Sequence, residues 1–258
     1  ARPEDAPDVV GWNTDWSKTT IDLSELIRGI GSSDPRDAIP PLDDPKFESI
    51  EDASQWLDGR EPVAFLDLGG EARAYPLRIL TWHEIVNDAV AGVPVAVTYC
   101  PLCNSAVGFD RRVDGETLRF GVSGLLRKSD LVMWDQQTES LWQQITGEAI
   151  VGELAGTQLE VIPTPIVSWA DFQRSFPDGT VLSRDTGFSR AYGTNPYDYY
   201  DSSSSPFLFD GELDDRYPAM ERVVGVTADG ANKAYPFSVL EREKAVNDTV
   251  GGEAIAVF

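Results

Sequence analysis

Histidine and cysteine are scarce in this chain of 258 residues. There is one histidine, His83, and there are two cysteines, Cys100 and Cys103. A single histidine excludes any metal site that needs three histidines from one chain. Any nucleophile that depends on a histidine base must therefore use His83, and any thiol chemistry must use the short segment that holds both cysteines.

Basic residues are also few. The sequence has 21 Lys and Arg against 43 Asp and Glu, and its formal net charge is −22. Such an excess of carboxylates repels phosphates, so the composition argues against a nucleic-acid partner. Only 5 of the basic residues are lysines, and an acidic, lysine-poor composition is typical of proteins from salt-loving organisms.

Long hydrophobic runs are missing as well. The longest one, from Val93 to Leu102, contains two prolines and a threonine and is much shorter than the roughly 20 residues of a membrane span. Apolar residues nevertheless make up 41% of the chain, which is enough for a globular core. The sequence therefore predicts a folded protein without a membrane span.

Two segments of the chain resemble each other. Residues 63–98 align without a gap with residues 223–258, and 13 of the 36 positions are identical. Each copy contains the tripeptide Ala-Tyr-Pro, and a proline at the start of a helix is favourable, so short helices are predicted at 77–83 and 237–244. We interpret the two copies as duplicated units of strand, turn, short helix and hairpin. Because the second copy stops at Phe258 within its last strand, we expect the natural chain to continue.

Most of the other patterns indicate strands and turns. Asp114-Gly115 predicts a hairpin turn, and 168–176 predicts a helix with Ser168 as its N-cap. Another short helix is predicted at 23–30, and the Tyr-, Ser- and Asp-rich stretch 192–216 is predicted as a long loop. The expected fold class is α+β, mostly β.

Two regions are predicted along the chain. Prolines and scattered acidic residues indicate an extended N-terminal arm over residues 1–60. A single domain over residues 61–258 follows, and it contains both repeat copies.

The segment Cys100-Pro101-Leu102-Cys103 carries the sharpest chemical signal. It follows the strand predicted at 93–99, so both thiols lie where that strand ends. A Cys-x-x-Cys pair can form a thiol–disulfide couple, supply two ligands to a soft metal, or form a structural disulfide in an exported protein. The spacing leaves all three readings open.

Hairpin geometry predicts that the lone histidine lies near these thiols. If 85–90 pairs with 93–99 around Ala91-Gly92, the numbers of paired residues add up to about 183 and Cys100 lies opposite His83. Facing residues in such a pair have Cβ atoms about 5 Å apart. We therefore expect the imidazole within ligand distance of a sulfur. The alternative is a histidine that only stabilises the end of a helix.

Two thiolates and one imidazole leave a fourth ligand position. Soft ligands select Cu(I), which also accepts a thioether. Met133 lies in a predicted strand of the same half of the chain, so it is the candidate axial ligand, although a methionine that fills the core is the alternative. The predicted cofactor is a copper ion bound by Cys100, Cys103, His83 and Met133.

Five ordered motifs from about residue 60 onward resemble the domain-of-unknown-function 3179 family: Ala74–Pro76 with Trp82–Asp88, Val97–Cys103, Gly121–Leu126, Gln137–Trp142 and Leu182–Gly187. The resemblance implies an exported protein of bacteria or archaea and no established activity. Residues 1–5 show neither a basic leader nor an apolar core, so we expect a processed N-terminus and an extracellular or cell-surface location.

Three functional hypotheses follow. The first is a secreted or cell-surface metal-binding protein for metal delivery or electron transfer, with a redox or metal-donor partner. The second is a structural cell-surface module that assembles with itself through the arm and the Tyr-rich loop, and in which the two cysteines form a disulfide. The third is a thiol–disulfide oxidoreductase with Cys100 as the attacking thiol. It is weakened because no helix is predicted to start at the motif and lower the pKa of that thiol.

Overall fold

The protein is described by a computed structural model covering residues 3–206, 208–209 and 211–258. Strands account for 38% of the chain and helices for 12%, which confirms the predicted α+β, mostly β class. The chain forms two compact units, residues 1–197 and 198–258. No helix in the described part of the chain has the length and apolar character that a membrane crossing needs.

Short strands dominate the first unit. In chain order they are β1 (Leu26–Arg28), β2 (Phe47–Ser49), β3 (Pro62–Leu68), β4 (Glu71–Pro76), β5 (Ile85–Val90), β6 (Val93–Cys100), β7 (Ser105–Asp110), β8 (Arg112–Val113), β9 (Glu116–Thr117), β10 (Phe120–Arg127), β11 (Asp130–Asp135), β12 (Leu141–Gln143), β13 (Ala149–Val151), β14 (Val161–Ile162), β15 (Ile166–Ser168) and β16 (Thr180–Leu182). The α-helices of this unit are α1 (Ile50–Ala53), α2 (Leu77–His83) and α3 (Trp169–Ser175).

These strands form three larger sheets. The first sheet has the order β1-β10-β11-β12-β13, the second β14-β7-β6-β5, and the third β15-β3-β4-β16-β2. All pairs are antiparallel except β16 with β4, which is parallel. A small hairpin, β8 with β9, is closed at Asp114-Gly115 and confirms the predicted turn there.

Strand β6 is buried on both faces, and its alternation decides where each side chain points. Val95, Val97 and Tyr99 pack in one core cluster together with apolar residues of α2. Ala96 and Cys100 pack in a different cluster, which also contains residues of the first sheet. Because successive strand residues point to opposite faces, Cys100 lies between the first and second sheets, and α2 lies on the other face of β6.

The N-terminal arm belongs to the first unit. It contributes β1 to the first sheet and β2 to the third, and Leu42 is buried in the core. The division between the two units lies after residue 197, whereas the sequence places a boundary at residue 60.

The predicted helix at 23–30 is wrong. Only residues Leu23–Glu25 form a 3₁₀ turn, and residues 26–28 form strand β1 instead. Its Leu26 pairs with Arg127 of β10, so backbone pairing with an existing sheet edge outweighs a weak helical pattern.

The other helices follow the sequence closely. Helix α3 spans Trp169–Ser175, and the side chain of Ser168 accepts a hydrogen bond from Asp171 N, which confirms the predicted cap. Helix α2 spans Leu77–His83, directly after Pro76, as the sequence predicts.

The second unit contains β17 (Val223–Ala228), β18 (Ala231–Pro236), α4 (Phe237–Glu243), β19 (Val246–Val250) and β20 (Glu253–Val257). Its strands pair as β17 with β18 and β19 with β20. The same order of elements occurs in the first unit as β3, β4, α2, β5 and β6. Internal duplication itself stays an interpretation, which rests on this order and on the sequence identities. Phe207 and Asp210 of the predicted loop at 192–216 lie outside the described residues.

Candidate metal centre

Two tight turns from different sheets bring two thiols and one carboxylate together. Strand β6 ends at Cys100, the turn that follows contains Cys103, and β7 begins at Ser105, which pairs with Cys100. Asp130 is the first residue of β11 and follows the turn that closes the β10–β11 hairpin. The site is therefore built by one hairpin end from each of the two packed sheets.

Left-handed backbone conformations allow both turns to reverse so sharply. Asn104 has φ 49° in the first turn, and its side-chain oxygen accepts a hydrogen bond from Tyr99 Oη at 3.0 Å. Lys128 and Ser129 have φ 53° and 63° in the second turn. Asparagine tolerates this region better than most residues, and two successive positive φ angles are typical of a two-residue hairpin loop.

The three ligand atoms lie close together. The sulfurs of Cys100 and Cys103 are 2.8 Å apart, and Cys103 Sγ is 3.1 Å from Asp130 Oδ1. All three atoms lie within 4.8 Å of one another. Both cysteines are free thiols, because an S–S bond measures about 2.05 Å. Cys100 is buried, whereas Cys103 is exposed as a residue although its sulfur is largely buried, so the group lies just below the surface on that side.

Neighbouring residues hold the Asp130 carboxylate in place. Its Oδ2 atom accepts hydrogen bonds from the side-chain amide of Gln143 and from Ile145 N, the latter at 3.0 Å. This leaves Oδ1 directed at the Cys103 thiol. Gln144 in turn donates to Thr98 Oγ1 at 2.9 Å, which ties the first sheet to the second beside the thiols. Such supporting contacts preorganise a ligand set.

Burial and mutual repulsion make the acidic groups of this site hard to ionise. Burial raises the pKa of Asp130, although hydrogen bonds from Gln143 and Ile145 oppose this effect. The hydrogen bond to Cys100, burial of the sulfur and the charge of Asp130 together raise the pKa of Cys103. Each negative charge here therefore makes the next one less favourable.

A second buried carboxyl group, that of Glu84, is also hard to ionise. Glu84 is only 5% exposed, and its Oε1 atom accepts a hydrogen bond from Tyr197 Oη at 3.1 Å. Burial, with a contribution from the charge of Asp130, raises the pKa of Glu84 to about 7. Burial raises the pKa of Tyr197 as well, and Glu84 and Cys100 contribute to that shift. Ionisation of each of these groups is therefore disfavoured, and Glu84 is protonated at mildly acidic pH.

Glu84 is not required by the turn that it occupies. It follows α2 with φ 60°, and Lys244 follows α4 at the corresponding position with φ 68°. A basic residue therefore fits the same backbone conformation. The carboxyl group at position 84 is therefore specific to the first unit, where the charge of Asp130 contributes to its raised pKa.

Residues 36–258 match the family described as "Protein of unknown function (DUF3179)". The chain belongs to this family. The match confirms the resemblance seen in the five motifs and extends it toward the N-terminus. No curated protein and no solved structure matches the chain. The DUF3179 description names no activity.

The structure places His83 of this DUF3179 chain away from the thiols. Its Nδ1 atom is 2.7 Å from Pro40 O, and its Nε2 atom is 2.6 Å from Tyr192 Oη. The predicted register is confirmed, since Ile85 pairs with Thr98. The expected contact with a sulfur is nevertheless wrong. His83 is the last residue of α2, which packs on the face of β6 opposite to Cys100.

Met133 lies in the same core cluster as Cys100. It is fully buried in β11 among Phe120, Trp142 and other apolar residues. This environment suits a methionine that fills the core. Its role as a metal ligand stays a prediction.

Sequence reasoning missed Asp130, Glu84 and Tyr197. Asp130 lies between two family motifs and not within one, and the sequence contains 26 aspartates among which nothing distinguishes it. Glu84 follows His83 directly, within the motif Trp82–Asp88. A stronger signal was the strand alternation in β6, because it directs Cys100 toward the sheet that contains Asp130.

Proposed function

We propose that the chain is an exported metal-binding protein whose metal centre is formed by Cys100, Cys103 and Asp130. The observation that supports this proposal is the distance of at most 4.8 Å between their ligand atoms. Two sulfurs and one oxygen at the ends of two rigid hairpins form a chelating set. Three protein ligands leave a further coordination position for water or for a ligand from a partner.

The electrostatics of the site favour a bound cation. The pKa values of Asp130, Glu84 and Cys103 are all raised, because no nearby positive charge among the described residues offsets the cost of burying their anionic forms. A cation between the thiols and the carboxylate reverses this effect and stabilises the thiolate form. Metal binding should therefore release protons and increase the stability of the first unit.

The donor set indicates which ions to test. The sequence favours copper because the two thiolates are soft ligands and Met133 can add a thioether to Cys100, Cys103 and His83. With Asp130 as the third ligand, the set fits Zn²⁺, which binds both thiolates and carboxylates. Cu⁺ is selected by soft ligands and needs only the two thiolates. We propose Zn²⁺ as the resident ion and keep Cu⁺ as the competing ion.

Exposure of the site favours metal exchange over a purely structural role. Cys103 is exposed, whereas Cys100 and Asp130 are buried, so one ligand can be approached by a partner. Cys103 is the ligand residue nearest to solvent, so a site with an open coordination position on that side can pass its ion to another protein by ligand exchange. We propose metal delivery outside the cytoplasm as the role of this centre.

Competition titrations test the metal centre. The reduced, chelator-treated protein is titrated with Zn²⁺ and separately with Cu⁺ against chromophoric chelators. We expect one ion per chain, with an affinity that falls at least about tenfold in Cys103→Ser and in Asp130→Asn. Asp110→Asn is the matched control, because Asp110 is a buried aspartate at the far end of β7 and pairs with Arg112. X-ray absorption of the loaded protein identifies sulfur and oxygen ligands.

The outcomes separate the alternatives clearly. Equal affinities for Asp130→Asn and the wild type with Cu⁺ alone would support a two-thiolate copper site. Failure of both ions to bind stoichiometrically to the fully reduced protein would overturn the proposal. A loss of affinity in Asp110→Asn as large as that in Asp130→Asn would show that folding, and not ligation, causes the effect.

A thiol–disulfide couple is a second candidate, favoured by the 2.8 Å between the two sulfurs. Oxidation would release two protons and transfer two electrons to the disulfide of a partner protein, whose sulfurs become thiols. The raised pKa of Cys103 opposes this role, because the thiolate is the attacking species. Equilibration with glutathione buffers measures the potential. A couple that stays fully reduced at every glutathione ratio would exclude this candidate.

A further inference from the structure

Three side chains of the first unit form a chain of short hydrogen bonds outside the metal centre. His83 Nε2 is 2.6 Å from Tyr192 Oη, and Tyr192 Oη is 2.5 Å from Thr186 Oγ1. His83 is fully buried, whereas Tyr192 and Thr186 are half-buried. None of the three belongs to the ligand group of the metal centre.

The direction of each proton in this chain follows from its partners. Pro40 O can only accept, and it is 2.7 Å from His83 Nδ1, so Nδ1 carries the imidazole proton. Burial lowers the pKa of His83, so the ring is neutral and its Nε2 atom accepts. Tyr192 therefore donates its hydroxyl proton to Nε2. The Tyr192 oxygen then accepts the proton of Thr186. Thr186 Oγ1 itself accepts a hydrogen bond from Phe188 N at 3.3 Å, which leaves one of its two lone pairs available.

Thr186 also lines a small pocket. The pocket has a volume of about 240 Å³, and Leu182 and Phe188 provide part of its apolar wall. Asp44 and Lys46 line the same pocket, and Lys46 Nζ is held at 2.6 Å from Asp185. A pocket of this size fits a short-chain compound, and its charged residues can orient a polar group.

We propose that Thr186 is a nucleophile that accepts an acyl group from a small ester in this pocket, with Tyr192 and His83 as its proton relay. The arrangement has the parts of an activated hydroxyl: a nucleophile, a base within hydrogen-bond reach and a group that orients the base. Here Tyr192 transmits the proton and Pro40 O orients the imidazole. Lys46 lines the pocket beside Asp43 and Asp44, and its ammonium group would have to exchange its contact with Asp185 for the oxygen that becomes negative during the reaction.

The acyl-transfer step balances without any further reagent. Thr186 Oγ1 forms a bond to the carbonyl carbon of the ester, and its proton passes to Tyr192 while the tyrosine proton passes to His83 Nε2. The bond between the carbonyl carbon and the alcohol oxygen breaks. The alcohol leaves with the proton that His83 held. Water then attacks the acyl-threonine and gives a proton to the relay, the bond between the acyl carbon and Thr186 Oγ1 breaks, and the relay returns the proton to Thr186 as the acid leaves.

The test uses p-nitrophenyl acetate as the probe and the full wild-type chain, in which mass spectrometry of the peptides distinguishes acetylated thiols from an acetylated Thr186. We expect release of nitrophenolate together with an acetyl group mapped by peptide mass spectrometry to Thr186. Thr186→Val should abolish this adduct, and Tyr192→Phe should slow its formation at least tenfold while keeping the ring packed on His83. Thr186→Ser, which keeps the hydroxyl group, should restore acetylation if the valine variant folds poorly.

Ser183→Ala is the matched control, because Ser183 is a hydroxyl residue of the same loop that donates to Glu48 and not to the relay. In the Ser183→Ala variant, Thr186 should be acetylated at the wild-type rate. Absence of any Thr186 adduct in the folded protein would overturn the proposal. So would an adduct that forms equally fast in Tyr192→Phe, because the hydrogen-bond chain would then serve only to hold the loop against α2.

Discussion

The Cys103 thiol donates a hydrogen bond to Asp130 Oδ1 across 3.1 Å, although the two residues are 27 positions apart in the chain. This contact joins a turn of the second sheet to a turn of the first. It also opposes ionisation of the thiol, since the carboxylate lies where a thiolate would form. The same pair of groups becomes favourable when a cation binds between them.

Asp130→Asn should make the Cys103 thiol more reactive in the reduced, metal-free protein. Removing the carboxylate charge lowers the pKa of Cys103 and increases its thiolate fraction. We expect several-fold faster alkylation by iodoacetamide at pH 8, followed by mass spectrometry of the Cys103 peptide. Asp110→Asn, which removes a distant buried carboxylate, should react at the wild-type rate. An unchanged rate in Asp130→Asn would show that Asp130 does not control this thiol.

Glu84→Gln should stabilise the metal-free protein at neutral and alkaline pH. The pKa of Glu84 is raised from 4.5 to about 7 in the folded chain, so between these values the unfolded chain has released a proton that the folded chain keeps. Stability is therefore lost as pH rises through this window, by roughly 3 kcal/mol in total. Glutamine keeps the acceptor for Tyr197 without the charge.

Urea denaturation of Glu84→Gln checks this sign. The free energy of unfolding should exceed that of the wild type by roughly 3 kcal/mol at pH 8 and should match it near pH 4. Glu116→Gln, at an exposed hairpin position, serves as the control and should change stability at neither pH. A variant that is less stable than the wild type at pH 8 would contradict the assignment of Glu84 as a buried, destabilising charge.

His83→Gln should destabilise the fold and leave metal affinity unchanged. Both nitrogens of the buried imidazole are hydrogen-bonded, to Pro40 O and Tyr192 Oη, and a glutamine at this position is not expected to satisfy both half-buried partners. We expect a loss of about 1 to 3 kcal/mol in the free energy of unfolding. Isothermal titration with Zn²⁺ and Cu⁺ should give affinities within about twofold of the wild type. A tenfold loss of metal affinity in this variant would indicate that His83 is a metal ligand after all.

Ser168→Ala should remove the N-cap of α3. The Ser168 hydroxyl accepts from Asp171 N at 3.1 Å and donates to Asp171 Oδ2 at 2.6 Å, so the substitution leaves a helical N–H without its partner. We expect a loss of about 1 kcal/mol, measured by urea denaturation. Ser175→Ala at the exposed last residue of the same helix should be nearly neutral. Equal stability of the two variants would contradict the capping role.

Local elements were predictable because their causes lie within a few residues. Pro76 starts α2, Ser168 caps α3, and Ala91-Gly92 closes a hairpin with both residues at positive φ. That turn sets the register between β5 and β6, which is the predicted one. The pattern at 23–30 failed because β1 gains hydrogen bonds from β10, a strand about 100 residues later that no local signal announces.

The sequence by itself determined that thiol chemistry must use Cys100 and Cys103 and that these thiols lie at the end of a strand. Only the tertiary structure decided their neighbours. Alternation along β6 turns Cys100 toward the first sheet and leaves His83, at the end of α2, on the opposite side. Asp130 joins the thiols because two sheets pack face to face, and desolvation between those sheets, which depends on the whole fold, raises its pKa.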